Sequence, residues 1–357
     1  MTVKLPGSFA YLAAREGVET SWAVMPSEPG APLGQRRISS PRSAADKRRG
    51  ENRAMKSSFI FGTRILYQEG GLKARRKLKL APLLIMILAS VVSGAPRIQV
   101  HGHRGARAMM PENTLPAFEY AIGVGVDVLE LDLAVTKDNV LVVSHDPHLS
   151  EIFCSGPAGT SRVIRELTLA ELGRWDCGAK ANPGFPKQKA VPGTKVPTLD
   201  QVLDLAPRGK FEFNIETKIT RKDPQFTPDP ETFSRLLVEA IRRHKLEARC
   251  MIQSFDERTL VAAAKMAPEI RRSALYAGPP RDLVAFAKEA RASILSPHTS
   301  LTNKRLVLEA HAAGLQVVPW TANTTGEWDT LIDSEVDAII SDDPAGLIAY
   351  LKGKGLR

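Results

Sequence analysis

Cysteine is scarce in this chain: 357 residues contain three, Cys154, Cys177 and Cys250. None belongs to a Cys-x-x-Cys pair or to a Cys/His cluster with metal-ligand spacing, which argues against a zinc site. Two readings of the thiols remain. All three are reduced, or Cys154 pairs with Cys177 across one loop-rich stretch and leaves Cys250 free on a strand. A Gly-x-Gly-x-x-Gly turn is missing after every candidate strand, so the dinucleotide-binding signature is absent too. The globular part also lacks any surplus of positive charge. The net charge of +10 sits in residues 1–98, which hold 17 Lys/Arg against 6 Asp/Glu and leave 32 basic and 33 acidic residues beyond them. A nucleic-acid-binding domain would carry that charge itself, so nucleic acid is not expected as a partner. The apolar run Leu80–Val92 has 13 residues, short of the about 17–25 that a membrane-spanning helix needs.

The first 95 residues read as delivery. Residues 1–54 scatter Pro, Gly, Ser and Arg without a sustained period, as in an unstructured leader, or one left untranslated if the start is Met55. Within 55–95, the basic stretch Lys73–Lys79 precedes Leu80–Val92 and then Ser93, Gly94 and Ala95. A basic region, an apolar core and small residues in that order make a secretory signal peptide. Pro96 is a poor residue after a cleavage point, so the competing reading is an uncleaved tether through 80–92. Both readings export the rest of the chain, which makes the expected location periplasmic or secreted.

From Arg97 onward, short apolar runs alternate with helical patterns, the signature of repeated βα units. The candidate strands are Ile98–His101, Val126–Leu133, Val140–Ser144, Phe211–Thr217, Arg249–Ser254, Arg272–Tyr276, Ser293–Ser296, Val317–Thr321 and Ala338–Ser341. Helical patterns fall at Thr114–Gly123, Glu231–His244, Arg258–Met266, Pro280–Glu289, Asn303–Ala313 and Thr325–Ile332. The expected fold is α/β: an eight-stranded (β/α)8 TIM barrel over about 97–350, ahead of a doubly wound open sheet. Nine candidates for eight places leave one strand as an edge piece. The stretch 147–197 is too long for one helix and two turns, and predicts a small insertion after the third strand, beside the active face.

Strand alternation then separates two faces. Leu129, Leu131 and Leu133 share one face, and Val128, Glu130 and Asp132 the other; Phe213 and Ile215 lie opposite Asn214, Glu216 and Lys218. A barrel packs its outer face under helices, so the polar set points to the axis, at strand ends where barrel active sites are built. An isolated Glu-x-Asp is more simply explained by a buried ion pair with Arg104 or Lys218, or by a solvated edge strand. Four polar strand ends arriving together reverse that judgement, because buried carboxylates require a compensating charge and a divalent cation supplies it. Oxygen ligands favour Mg2+ or Ca2+. His103 and His145 each close an apolar strand beside this pair and suit acid–base work near neutral pH. Arg104 and Lys218 add positive charge for a phosphate, the first bidentately and the second as a point charge. The combination points to phosphoester chemistry on a small anionic substrate.

His103-Arg104-Gly105, Pro111-Glu112-Asn113-Thr114, Glu130-Leu131-Asp132, His145-Asp146, Ile215-Glu216-Thr217-Lys218, Gln253-Ser254-Phe255, Trp320-Thr321-Ala322-Asn323 and Ser341-Asp342-Asp343-Pro344 resemble, in order, the motifs of the glycerophosphodiester phosphodiesterase family. The resemblance covers about Ile98 to the C-terminus and implies a phosphoric diester hydrolase on a barrel like that of phosphatidylinositol-specific phospholipases C. It implies Glu130, Asp132 and Glu216 as metal ligands, His103 and His145 as the acid–base pair, and Arg104 and Lys218 on the phosphate. It also places Glu112, Asn113, Gln253 and Trp320 in the pocket. For Asn113, capping of the next helix, by it or by Thr114, is an equal alternative, and for Trp320 core packing is. Two rivals share these residues: a lysophospholipase D or sphingomyelinase-D-like lipid phosphodiesterase, and a non-catalytic cell-envelope binding module on the same fold.

Overall fold

The computed structural model describes residues 97–219 and 221–357; the leader 1–54 and the signal or tether at 55–95 lie outside them. Among the described residues no helix is long and apolar enough to cross a membrane.

The described residues open with β1 (Gln99–Gly102), α1 (Leu115–Val124), β2 (Val128–Val135) and β3 (Leu141–Val143). An insertion comes next, holding the short helix α2 (Leu169–Leu172), and α3 (Leu199–Leu203) leads back to β4 (Glu212–Thr217). Then come α4 (Pro230–His244), β5 (Cys250–Ser254), α5 (Glu257–Met266), β6 (Arg271–Tyr276), α6 (Leu283–Glu289) and β7 (Ile294–Pro297). The last units are α7 (Lys304–Ala312), β8 (Gln316–Val317), α8 (Thr325–Asp333), β9 (Ala338–Ser341) and α9 (Pro344–Gly353). The strands run in the order β8-β7-β6-β5-β4-β2-β1-β9, all parallel. Backbone bonds from Asp337 N to Val317 O, Ile340 N to Pro319 O and Ala322 N to Ile340 O, each 3.1 Å, join the two ends of the sheet. That closure makes a (β/α)8 barrel and disposes of the open-sheet alternative.

The ninth strand is the third in the chain. β3 pairs antiparallel with the end of β2, Leu133 opposite Val143 and Val135 opposite Leu141, and lies outside the barrel circuit. β2 overruns the barrel rim because this arm supplies partners for its last residues. The insertion follows this third strand, as predicted, and the strand it follows is a hairpin arm.

Two apolar layers arise from alternation. Leu129, Leu131, Leu133, Phe213 and Ile215 lie under the helices with Phe118, Phe233 and Leu237, while Val128, Met251, Ile294, Val318, Ala338 and Ile340 plug the barrel axis. Helix α4 shows the local logic: Asp229 caps it by accepting from Thr232 N, Pro230 occupies its first turn, and Phe233, Leu237, Val238 and Ile241 recur on one buried face. Each such side chain contributes roughly 1.5–3 kcal/mol on burial. At the far end Arg357 bonds Asp127 beside β1.

The insertion has its own core of Leu149, Cys154, Ile164, Leu172, Trp175 and Cys177. Cys154 and Cys177 form a disulfide inside it, and Cys250 is a free thiol buried on β5, pushed up to about 12 by burial. The bridge closes a loop of 23 residues in sequence separation. Replacing both cysteines by serine is expected to cost about 3 kcal/mol, mainly through a freer unfolded chain. A lowered midpoint in urea unfolding checks this, and an unchanged midpoint would contradict it.

Candidate active site

Two glycines let β1 end in a tight turn at the barrel mouth. A Cβ on Gly102 would sit 2.2 Å from the Gly105 carbonyl oxygen, and one on Gly105 (φ 84°) would sit 2.8 Å from the backbone of Ala117 in α1. Arg104 between them is left-handed (φ 49°), and the turn aims its guanidinium and the His103 imidazole to the axis. Both side chains are buried. His103 Nδ1 lies 2.5 Å from Asp342 Oδ1, and Nε2 lies 4.0 Å from Glu130 Oε2. Burial lowers the affinity of His103 for a proton, against the pull of Asp342. Burial also disfavours a charged Asp342, but His103 and Arg107 outweigh it and hold that carboxylate at about 2. Asn323 Nδ2 donates to Asp342 Oδ2 at 2.8 Å while its Oδ1 accepts from Asp342 N at 2.8 Å. Asp342 and Asn323 therefore orient His103. Both lie in motifs that carry the family resemblance, but neither was given a role from the sequence, where the available signal was an Asp following the last apolar strand.

Glu130 and Asp132 on β2 and Glu216 on β4 are buried together, with Asp132 in register with Glu216. One ligand oxygen from each lies within 4.8 Å of the others. Arg104 N donates to Glu130 Oε2 at 2.8 Å and Gln253 Nε2 to Glu130 Oε1 at 2.6 Å. Asn113 Nδ2 donates to Asp132 Oδ2 at 2.9 Å, and Lys218 Nζ lies 3.4 Å from Asp132 Oδ1 and 3.0 Å from Glu216 Oε1. Burial and the charge of Asp132 raise Glu130 well above the usual carboxylate range. Burial likewise lifts Glu216, to about 7, against Lys218. Asp132 goes the other way: Lys218, His145 and Arg104 overcome its burial and keep it ionised. Three buried carboxylates, with Glu130 hydrogen-bonded among the described residues only to the Arg104 backbone N–H and the Gln253 amide, form an all-oxygen donor set suited to a hard divalent cation.

His145 reaches this cluster through the hairpin. β3 runs back along β2, Ser144 N bonds Asp132 O at 2.9 Å, and the next residue is thereby delivered beside the carboxylates. Its Nδ1 lies 2.8 Å from Asp146, whose carboxylate is exposed. Burial, then Arg104 and Lys218, push His145 down to about 4. The cleft beside it is lined by Glu112, Asn113, His148, Phe153 and the Cys154–Cys177 bridge, so the insertion walls the site.

The remaining pocket candidates divide. Glu112 pairs with Arg104 at 2.8 Å and faces the cleft. Asn113 (φ 56°) holds Asp132, and the helix cap is Thr114, which accepts from Ala117 N. Gln253 is 1% exposed and spent beneath Glu130, so it is not placed as a pocket wall. Trp320 both joins the axial plug and stands half-exposed, edge-on to Phe255 and to His298 at 5.3 Å each. Lys218 Nζ lies 5.7 Å from the Phe255 ring, which links that wall to the carboxylates. His101, on the same face as His103, is buried with neither ring nitrogen hydrogen-bonded to protein, and burial lowers it to about 3.

A barrel whose rim gathers three carboxylates, two imidazoles and two cations is that of an enzyme acting on a phosphate ester. The model of the glycerophosphoryl diester phosphodiesterase family matches residues 103–346, and the chain belongs to that family. A glycerophosphodiester phosphodiesterase from Caldanaerobacter subterraneus subsp. tengcongensis is 31% identical over 256 residues, spanning 72% of this chain and 98% of its own. A solved structure from Silicibacter pomeroyi superposes with a TM-score of 0.68 at 30% identity, over 73% of this chain and 95% of that one. Another, an Oleispira antarctica phosphodiesterase in complex with the product sn-glycerol-3-phosphate, gives 0.61 at 25% identity, over 72% and 97%.

Proposed function

We propose that this enzyme hydrolyses glycerophosphodiesters to sn-glycerol 3-phosphate and an alcohol, outside the cytoplasm, with Mg2+ or Ca2+ bound by Glu130, Asp132 and Glu216. The observation that carries the reading is the buried three-carboxylate cluster flanked by His103, His145, Arg104 and Lys218. A bound divalent ion supplies positive charge for the phosphoryl oxygens and for the reacting hydroxyl. Arg104 and Lys218 bind the phosphodiester, the guanidinium through paired N–H groups and the ammonium as a point charge. One imidazole takes the proton of the substrate's own glycerol hydroxyl as that oxygen attacks phosphorus. The other protonates the leaving alcohol as its P–O bond breaks. Water then opens the cyclic phosphate with the two roles exchanged. The base must enter as a neutral imidazole and the acid as an imidazolium; burial disfavours the charged form of both rings, and Asp342 beside His103 and Asp132 and Asp146 beside His145 oppose it.

Phe255, Trp320 and His298 form a partly exposed wall beside Lys218, where the alcohol portion would lie. The comparison that tests substrate class is turnover of glycerophosphocholine against lysophosphatidylcholine. Preferred turnover of the water-soluble diester is expected. Preferred turnover of the lipid would transfer the same site to a lysophospholipase D, and turnover of neither would leave a binding module.

A further inference from the structure

We infer that Gln253, its amide orientation set by Asn214, is the positioning residue that holds Glu130 as a metal ligand; the inference rests on the metal site proposed above. Glu130 has two carboxylate oxygens. Oε2 takes the Arg104 backbone N–H, and Oε1 takes Gln253 Nε2 at 2.6 Å. An amide can present either its N–H2 or its carbonyl to a neighbour, and a carbonyl facing a carboxylate would repel it. Asn214 matches the orientation that Glu130 demands, while its own Oδ1 is buried without a hydrogen-bond partner among the described residues. Its Nδ2 donates to Gln253 Oε1 at 2.9 Å, which turns the other end of the Gln253 amide to Glu130. Registration explains why these three meet: Asn214 is level with Glu130 across β2 and β4, and Gln253 is level with Glu216 across β4 and β5. The pair thus ties together the strands that carry all three carboxylates.

All three side chains are at most 2% exposed, so solvent competes with none of these bonds. Gln253 is not among the residues that line the cleft, and its side-chain hydrogen bonds go to Glu130 and Asn214. Its contribution is therefore to the aim of one ligand oxygen, and losing such an outer contact typically costs about 10–100-fold in metal affinity.

The test is calorimetric titration of the metal-free protein with Mg2+ and with Ca2+, for wild type, Q253M and N214L. Methionine keeps the length of glutamine and removes its donor; leucine keeps the bulk of asparagine and releases the Gln253 amide to flip. Q253M is expected to raise the metal Kd by about 10–100-fold and N214L to raise it less, while KM for substrate at saturating metal stays within twofold. A merely structural role would lower the melting temperature of the metal-free variants and leave the metal Kd unchanged. Metal Kd values within twofold of wild type in folded Q253M overturn the inference. If Q253M does not fold, an unchanged Kd in N214L does so. A wild type that binds neither ion overturns the metal site itself, a different result.

Discussion

Replacing His103 or His145 by alanine is expected to lower kcat by about 10²–10⁴-fold. Each ring is positioned by a carboxylate on Nδ1 and leaves Nε2 for the reaction: Asp342 on His103 and Asp146 on His145. The two partners differ, and so should the side effects. Asp342 is buried and its negative charge is stabilised by His103 and Arg107, so H103A leaves a buried carboxylate with less compensation and lowers stability as well. Asp146 is 67% exposed at its side chain and readily solvated, so H145A should lose activity with little change in unfolding midpoint. Single-turnover rates and urea curves on both variants check this, and near-wild-type turnover in both would refute the acid–base assignment.

The second large effect is metal removal. A chelator is expected to abolish activity and either Mg2+ or Ca2+ to restore it, because among the described residues Arg104 and Lys218 do not by themselves balance Glu112, Glu130, Asp132 and Glu216. Lys218 bridges Asp132 and Glu216, and Arg104 is shared between Glu112 and Asp132, which leaves Glu130 with only neutral donors at hydrogen-bond distance. Binding should also stabilise the fold, by about 2.7 kcal/mol at a hundredfold excess of metal over its dissociation constant. Melting curves with and without the ion measure that increment. Replacing Glu216 by Gln should weaken both effects together.

Periodicity made the barrel legible. Alternating leucines against Glu130 and Asp132, and Phe213 and Ile215 against Asn214 and Glu216, define an outer and an axial face, and the structure puts the apolar residues of each under the helices. Which of nine candidate strands lay outside the circuit was not legible. Leu141–Val143 is apolar enough for a barrel strand, and only its pairing with the end of β2 shows that it runs antiparallel. The same limit governed the site. Side chains brought together by neighbouring register, such as Asp132 with Glu216, can be read from alternation. Partners brought by barrel closure, such as Asp342 on His103 with a separation of 239 residues, cannot. Gln253 entered only through the family resemblance, as a pocket residue, and its hydrogen bonds to Glu130 and Asn214 depend on side-chain reach across two strands, which no spacing in the chain encodes.

The most direct test of the central claim is release of sn-glycerol 3-phosphate from a glycerophosphodiester by the purified, metal-stripped protein before and after addition of Mg2+ or Ca2+. Release that appears only with the ion, and is lost in H103A, H145A and E216Q, is the predicted result. Full release from the stripped protein, or none from metal-loaded wild type with any glycerophosphodiester, would contradict it.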